Sequence, residues 1–408
     1  MAIDFKQATL DNGLTVVAEV DDNAHTAACG FFVRTGARDE STDVMGVSHF
    51  LEHMMFKGTK RRTAADVNRE FDEIGARYNA YTTAEMTTFY ASILPERLDQ
   101  AVDLLGDMLR PALREEDFAT EKNVILEEIA MYMDQPFWVL YERVTEERFG
   151  KHPLGHRILG TTDTIEALTA AQMREYFTAR YSADNTTVAL AGKLDFDQVM
   201  DQLQSLCGSW NTASPTRDTS AAPAHASSFT TEDERVHRCY QLMLAPGPGA
   251  QDERRYAASM LAMAMGDSDN SRLYWALVDP GLADEASMSF DPHDHEGNFL
   301  VYASCDPERA DEVWSLIELE LSSIRTSVTD ADLERIRNKA ATAATVAGER
   351  PGGRMQRLGR LWTYLGEYKS LEDELEAING VTLDDIHAVY DAFPLKPRAY
   401  GRMMPASA

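Results

Sequence analysis

The start of the chain alternates apolar and polar positions with the two-residue period that is typical of β-strands. FKQATL and LTVVAEV follow this pattern and flank Asp11-Asn12-Gly13, a sequence that favours a tight hairpin turn. The apolar segment AACGFFVRTGA comes next and predicts a third strand. We therefore expect a β-sheet to begin in this region.

Helical periodicity replaces this alternation further along the chain. Apolar residues three or four positions apart predict helices at about 44–57, 64–75, 96–110 and 115–134, with a strand at about 77–94 between the second and the third. Strands and helices that mix without strict alternation favour an antiparallel or mixed sheet packed with helices. The sequence therefore predicts an α+β fold.

The chain contains this pattern twice. Residues 90–102 read YASILPERLDQAV and residues 302–313 read YASCDPERADEV, so YAS and PER recur at a constant offset (302 − 90 = 212). Residues 212–228 are rich in Ser, Thr, Pro and Ala without periodicity, as in a linker. We predict two homologous domains, 1–211 and 229–408, each a mostly antiparallel sheet packed with helices.

The predicted helix at 44–57 carries side chains that can bind a metal. His49, Glu52 and His53 share an arc of about 100° on its surface, and aliphatic residues lie on the opposite side. Two imidazoles one turn apart can bind the same ion, and the carboxylate between them can take a proton from an attacking water. This is the inverted zinc-protease motif HxxEH; the alternative is an ordinary polar helix face.

A catalytic zinc ion usually has three protein ligands, so a third ligand is expected outside this motif. On a helix at 115–134, Glu121 and Glu128 lie on the apolar face near Val124, whereas Glu127 faces solvent. A carboxylate on an apolar face is costly unless a positive charge compensates it. Glu121 and Glu128 are therefore the better candidates for metal chemistry, and a buried Glu paired with Arg or Lys is the alternative.

Composition narrows the classes of protein to be considered. The 408 residues are 44% hydrophobic and 26% charged, as in globular chains with a large core, and their formal charge of −28 disfavours nucleic acid as a partner. The four cysteines form no CxxC motif, which fits a reducing compartment. Without a signal peptide pattern or a long apolar stretch, we predict a cytoplasmic chain with no membrane span.

Three segments together resemble the pitrilysin, or insulinase, family of zinc peptidases (M16), most closely its short branch related to the mitochondrial processing peptidase. They are HFLEHMMFKGT, EKNVILEEIAMYMD and HPLGHRILGTTDTIEAL, and they match the family's signatures in order and spacing. The resemblance covers nearly the whole chain. It implies a two-domain fold of the LuxS/MPP-like metallohydrolase type and one zinc ion per chain.

The resemblance also implies roles for individual residues. His49, His53 and Glu128 would be the zinc ligands, Glu121 would support them, and Glu52 would be the general base. The sequence would then encode a zinc metalloendopeptidase that hydrolyses peptides or unfolded segments. Alternatives are a subunit that is active only with a different partner chain and a non-catalytic assembly subunit, although a scaffold need not keep these residues together.

A second feature implied by the resemblance is an edge strand on which the peptide substrate lies as an added strand. The stretch ARYNAYTTAEMTTFY matches it, with Asn79 and Ala80 at the positions expected to contact the substrate backbone. Main-chain pairing would hold an extended peptide without reading its side chains. From the residues alone, an ordinary strand is the alternative.

The second half lacks an equivalent metal site. No HxxEH motif occurs after residue 53, and Ile336 and Ala343 occupy the positions that correspond to the two glutamates of the first half. The segment DPHDHEG contains His293 and His295, but its composition favours a turn over a metal site. The second domain is therefore predicted to be non-catalytic.

Short members of the family often hold substrate with an Arg followed seven residues later by a Tyr, in the second half or in a sister subunit. The corresponding positions here are near Val278 and near Asp284 or Glu285. We therefore predict a dimer, either a homodimer or a heterodimer with a sister subunit that carries the Arg/Tyr pair.

Overall fold

The structure is a computed structural model that describes residues 3–223 and 226–406. The strands are β1 (Asp4–Thr9), β2 (Thr15–Val20), β3 (Ala27–Val33), β4 (Arg77–Thr82), β5 (Thr87–Ile93), β6 (Thr186–Gly192), β7 (Ser227–Asp233), β8 (Cys239–Gly247), β9 (Glu285–Pro292), β10 (Gly297–Cys305) and β11 (Ala399–Pro405). The α-helices are α1 (Val47–Met55), α2 (Ala64–Glu73), α3 (Leu98–Met108), α4 (Glu115–Met133), α5 (Pro136–Phe149), α6 (Thr162–Ala167), α7 (Ala170–Arg180), α8 (Phe196–Cys207), α9 (Arg255–Gly266), α10 (Ala310–Ser322), α11 (Ile324–Ser327), α12 (Asp330–Gly348), α13 (Pro351–Leu365), α14 (Leu371–Gly380) and α15 (Leu383–Ala392).

The strands form two sheets. The first has six strands in the order β1-β2-β6-β3-β5-β4, and the second has five in the order β7-β11-β8-β10-β9. Neighbouring strands are antiparallel except β2 with β6 and β7 with β11, which are parallel. The prediction of an α+β fold with two mostly antiparallel sheets packed with helices is confirmed.

The single strand expected at about 77–94 is a hairpin of β4 and β5. The chain reverses where the Thr83 N–H donates to the Met86 carbonyl at 2.8 Å and the Met86 N–H donates to Thr83 Oγ1 at 3.0 Å. The turn sequence TAEM contains no Gly, Pro, Asn or Asp, so the residues give no turn signal. A threonine hydroxyl makes the turn instead.

The chain folds into two compact units, and neither is contiguous in sequence. The first unit combines the residues up to Ile129 with His156–Asp218 and Thr345–Lys369. The second combines Ala130–Gly155, Thr219–Ala344 and the residues from Ser370 onward. Each unit contains one of the two sheets.

Each unit therefore includes a helix from the opposite half of the chain. In the first unit, α13 packs Met355 and Leu358 on the sheet; in the second, α5 packs Leu140 and Val144 on β8 and β11. The sequence analysis gave two contiguous domains, 1–211 and 229–408, and did not anticipate this exchange of helices. An amphipathic pattern shows that a helix has a buried face but not which sheet that face covers.

The predicted linker at 212–228 runs between these halves. Residues 212–223 have no helix or strand, residues 224 and 225 lie outside the described residues, and β7 already begins at Ser227. The internal repeat is also visible, because β5 and β10 are each followed by a short 3-10 turn with the sequence PER and then by a helix. None of the helices in the described ranges is long and apolar enough to cross a membrane.

Helices cover both faces of the first sheet. Alternate residues of β3 belong to different cores: Cys29 and Phe31 face the core that contains α1 and α3, whereas Phe32 faces α13. Covering both faces explains why every residue of β3 is buried. It also fixes α1 against the end of the sheet that β4 and β5 form.

Candidate metal centre

The helix α1 carries the two histidines and the glutamate of the HxxEH motif. It begins after Gly46, which has a φ of 94°, and a Cβ there would lie 2.5 Å from the Leu159 carbonyl oxygen. The buried Glu40 carboxylate accepts the N–H groups of Gly46 and Ser48, each at 2.7 Å. These amides lie at the helix start, where intrahelical acceptors are missing. The position of α1 is thus fixed at its N-terminus.

His49, His53 and Glu128 each offer a ligand atom, and these atoms lie within 4.8 Å of one another. Glu128 Oε2 is 3.8 Å from His49 Nε2 and 3.6 Å from His53 Nε2. These separations are too long for hydrogen bonds, but they suit an ion bound at about 2 Å from each atom. Within residues 3–223 and 226–406, no other group of three such side chains is this close.

The protonation of His49 also suits a metal ligand. Burial, with a contribution from the neighbouring His53, lowers the pKa of His49 to about 3. The ring is therefore neutral at physiological pH, and zinc binds the lone pair of a neutral imidazole. Its Nε2 faces Glu128, and its buried Nδ1 has no hydrogen-bond partner among the described residues.

Glu121 orients the other histidine. Its Oε1 is 2.9 Å from His53 Nδ1, which leaves His53 Nε2 directed at Glu128. Its Oε2 is 2.5 Å from the Lys57 ammonium, which compensates the charge of this 4% exposed residue. The structure thus brings Glu121 to the position predicted for it. The sequence analysis missed Lys57, which lies just after the end of α1, four residues beyond His53.

The faces of α4 agree with the prediction for its glutamates but not for its apolar residues. Glu121 is buried, Glu128 is half-buried and Glu127 is exposed. Val124, which was expected on the same apolar face, is 42% exposed. The buried side of the helix runs instead through Phe118, Glu121, Ile125 and Ile129, with the helical spacing of three and four residues.

Glu52 lies on α1 between the two histidines and contacts the hairpin. Its Oε2 accepts a hydrogen bond of 2.6 Å from the hydroxyl of Thr82, the last residue of β4. Burial raises the pKa of Glu52 above its ordinary value, while the Thr82 hydroxyl and His53 oppose this shift. The sequence analysis missed Thr82, because no local pattern shows that this strand end meets α1.

Asn79 and Ala80 lie on β4, the last strand in the order of the first sheet. They pair with Tyr90 and Phe89 of β5, and within the described chain no strand pairs with the other side of β4. The Asn79 side-chain oxygen accepts the Ala80 N–H at 2.9 Å. The structure therefore places both residues on an open edge strand beside α1, and their contact with substrate stays a prediction.

The described residues of the second unit show no comparable arrangement. Ile336 is buried in the core, and Asp284 pairs with Arg238. His293 and His295 lie where β9 turns into β10, and the described part of the chain gives neither of them two further metal-binding neighbours. The prediction of a turn at this position agrees with the structure.

Comparison with known proteins identifies the family. Residues 15–162 match the family described as "Insulinase (Peptidase family M16)", and residues 167–340 match "Peptidase M16 inactive domain". An uncharacterized zinc protease of Streptomyces coelicolor is 32% identical over 397 residues, which are 94% of this chain and 86% of that protein. An uncharacterized zinc protease of Bacillus subtilis is 29% identical over 390 residues, 94% of each chain.

Solved structures agree on the fold. The crystal structure of a protease from Helicobacter pylori superposes with a TM-score of 0.91 at 21% identity, covering 99% of this chain and 100% of that one. A putative M16-like peptidase from Alicyclobacillus acidocaldarius gives a TM-score of 0.86 at 22% identity, covering 100% of this chain and 99% of that one. The names of the sequence relatives support a metallopeptidase function. The chain belongs to the insulinase family of peptidases, family M16.

Proposed function

We propose that this chain is a zinc metalloendopeptidase that binds one zinc ion through His49, His53 and Glu128. The observation that carries the proposal is the convergence of these three side chains, with Glu52 beside them on the same helix. Two imidazoles and a carboxylate are a common ligand set for catalytic zinc. Glu128 Oε2 lies 3.8 Å from His49 Nε2 and 3.6 Å from His53 Nε2, and these distances leave room for a cation between the three atoms.

In peptide hydrolysis, the metal and the residues around it would have different roles. A zinc ion held by His49, His53 and Glu128 would supply a Lewis acid that could polarise the scissile carbonyl and acidify a water molecule. Glu52 takes the proton from the attacking water and passes it to the leaving amine. Glu121, held by Lys57, keeps His53 in the orientation in which Nε2 points at Glu128.

The open edge of β4 supports a proposal for the class of substrate. An extended peptide can add to this edge as a further strand, with Asn79 and Ala80 as its main-chain partners. Thr82, on the same strand, contacts Glu52, so the edge ends next to the base. Main-chain pairing requires an extended chain, and we therefore propose peptides and unfolded segments as substrates.

Metal content and the Glu52→Gln variant together test this function. We expect the purified chain to hold one zinc ion, to lose cleavage of a quenched peptide after treatment with a chelator, and to regain it when zinc is added. Glu52→Gln should keep the zinc but lower kcat by more than about 1000-fold, because it removes only the base. A chelated chain that still cleaves, or a Gln variant within tenfold of wild type, would contradict the proposal.

One observation favours a second candidate, a catalytic subunit that needs a different partner chain. The positions near Val278 and Asp284 offer a valine and an acid that is already paired with Arg238, so neither supplies a free cation to hold the substrate. A sister subunit could supply that group. Adding such a subunit would then raise the peptidase activity of this chain.

A further inference from the structure

We propose that Thr82 is a positioning residue for Glu52 and that it connects the general base to the strand on which the peptide lies. This inference rests on the proposed function, because it takes Glu52 as the base. It concerns a residue outside the HxxEH motif and outside the ligand set. Its basis is the 2.6 Å hydrogen bond from Thr82 Oγ1 to Glu52 Oε2.

The bond distinguishes the two oxygens of the carboxylate. Oε2 accepts the threonine hydroxyl, so Oε1 is the oxygen left to receive the proton of the attacking water. A glutamate side chain has three rotatable bonds, and Glu52 is only half-buried, so packing alone leaves its carboxylate free to rotate. The hydroxyl removes this freedom before the substrate arrives.

The sheet fixes the hydroxyl. Thr82 pairs with Thr87 at the turn end of the hairpin, and alternation along β4 puts Tyr78 on the same face. The Tyr78 ring stacks on Phe71 of α2 with a centroid distance of 4.1 Å and packs near Phe56 just after α1. Both ends of β4 are therefore held against the helices on this face of the sheet.

A peptide that pairs with β4 binds the backbone of the strand whose last side chain holds the base. The hydrogen bond to Glu52 should therefore matter for turnover and not for binding of either zinc or peptide. Loss of the hydroxyl should lower kcat and leave KM and zinc content unchanged. A misoriented catalytic group typically costs about 10- to 100-fold in rate.

The experiment compares Thr82→Val, Thr82→Ser and Thr87→Val in the full chain loaded with zinc. The valine at position 82 keeps the shape and the β-branching but removes the donor, and the serine keeps the donor. Thr87→Val is the matched control, because it removes a hydroxyl of the same hairpin that donates to the Thr35 carbonyl at 2.9 Å. Zinc content, thermal unfolding and steady-state kinetics are measured for each.

We expect Thr82→Val to lower kcat by about 10- to 100-fold with KM and zinc content within about twofold of wild type. Thr82→Ser should recover kcat to within about threefold, and Thr87→Val should stay within about threefold. Thr82→Val at wild-type kcat, or an equal loss in Thr82→Ser and Thr82→Val, would overturn the inference. A wild-type chain that binds zinc and cleaves no peptide, either alone or with a sister subunit, would overturn the proposed function instead, and the role of Thr82 with it.

Discussion

Side chains of the metal centre differ in how firmly the fold holds them. His49 is buried on α1, and His53 is oriented by Glu121. Glu128 is only half-buried, and it is the one group of the three that comes from α4. Its carboxylate faces both imidazoles. A metal ion bound here would therefore join two helices through a single carboxylate, and that residue offers the clearest test of the site.

We predict that Glu128→Gln weakens zinc binding by more than about 100-fold, because loss of even an outer partner of a ligand costs about 10- to 100-fold. The control is Glu127→Gln, which removes the same charge from an exposed position one residue earlier. Zinc content after dialysis against a weak chelator measures the effect. Equal zinc retention in the two variants would show that Glu128 is not a ligand.

Part of this site can be predicted from the sequence, because the spacing of residues along a helix shows which side chains share a face. HxxEH puts His49, Glu52 and His53 on one face, and the burial cost of a carboxylate separates Glu121 and Glu128 from Glu127. Contacts between distant elements carry no such signal. The bond from Thr82 to Glu52 depends on where a strand ends relative to a helix, and local patterns do not contain that information.

At the scale of elements, α13 shows how closely a helix can pack on the first sheet. Gly359 faces Phe32 of β3, and a Cβ on this glycine would lie 2.2 Å from an atom of the Phe32 ring. The ring is fully buried and packs in one cluster with Met355 and Leu358 of α13. The absence of a side chain at position 359 thus allows the α13 backbone to lie directly against the Phe32 ring of the first sheet.

We predict that Gly359→Leu destabilises the protein by about 1–3 kcal/mol, the usual cost of overpacking a core. The control is Gly380→Leu, because a Cβ on Gly380, at the end of α14, has no heavy atom within 4 Å. Chemical denaturation measures both variants. If the two changes cost the same, α13 does not pack on β3 as described.

A capping box starts α2, the helix that supports Tyr78 of β4. The Thr63 hydroxyl and N–H donate to Asp66 at 2.7 and 2.9 Å, and these bonds, with help from Arg69, lower the pKa of Asp66 to about 2. A depressed carboxyl pKa stabilises the folded state above the unfolded value of about 3.8. This contribution is lost as the pH falls through about 2.

Accordingly, Asp66→Asn should lower the melting temperature at pH 7, and the difference from wild type should shrink as the pH falls from about 4 to about 2. The control, Asp72→Asn, removes an exposed carboxylate from the C-terminal end of the same helix, where a negative charge gives no support. Thermal unfolding followed by circular dichroism measures both. A difference that stays constant across this pH range would contradict the role of the Asp66 charge.

Three predicted helices show how far hydrophobic periodicity predicts the elements of this fold. Helices expected at 64–75 and 115–134 are present as α2 and α4, with ends that differ by no more than two residues. The helix expected at 44–57 is shorter, because Gly46 and the Glu40 carboxylate set its start. Periodicity thus predicts that an element exists, and tertiary partners decide where it begins and which sheet it covers.

For the whole molecule, the repeat leaves the first half with the candidate metal site, and the described residues of the second half hold no such group. Ile336 and Ala343 of α12 stand where the first half has its two glutamates. Ile336 is buried in the core and Ala343 is exposed, so neither position offers a metal ligand. The positions that correspond to the family's Arg and Tyr fall near Val278 and near Asp284 or Glu285, so this pair is not present at those positions. If the substrate needs a cationic contact in addition to main-chain pairing on β4, another chain must supply it, or residues of this chain outside the two expected positions.

We therefore predict that the purified chain is a dimer and that its peptidase activity per chain falls on dilution. Light scattering after size exclusion gives the mass, and a quenched peptide assay across a dilution series gives the activity. A second sample mixes the chain with a sister protein that carries the Arg/Tyr pair. A gain of about tenfold or more on mixing would favour the heterodimer, since one charge-assisted hydrogen bond contributes about 1.5–3 kcal/mol.

The two measurements separate the alternatives because mass and activity respond differently. A homodimer at all concentrations, with full activity and no gain on mixing, means that other residues of this chain hold the substrate. A monomer that gains activity only with the sister protein means that the missing cation comes from outside. A stable monomer that cleaves at full rate, unchanged by any sister protein, contradicts the dimer. It would also show that a cation near position 278 is unnecessary when β4 pairs with the peptide backbone.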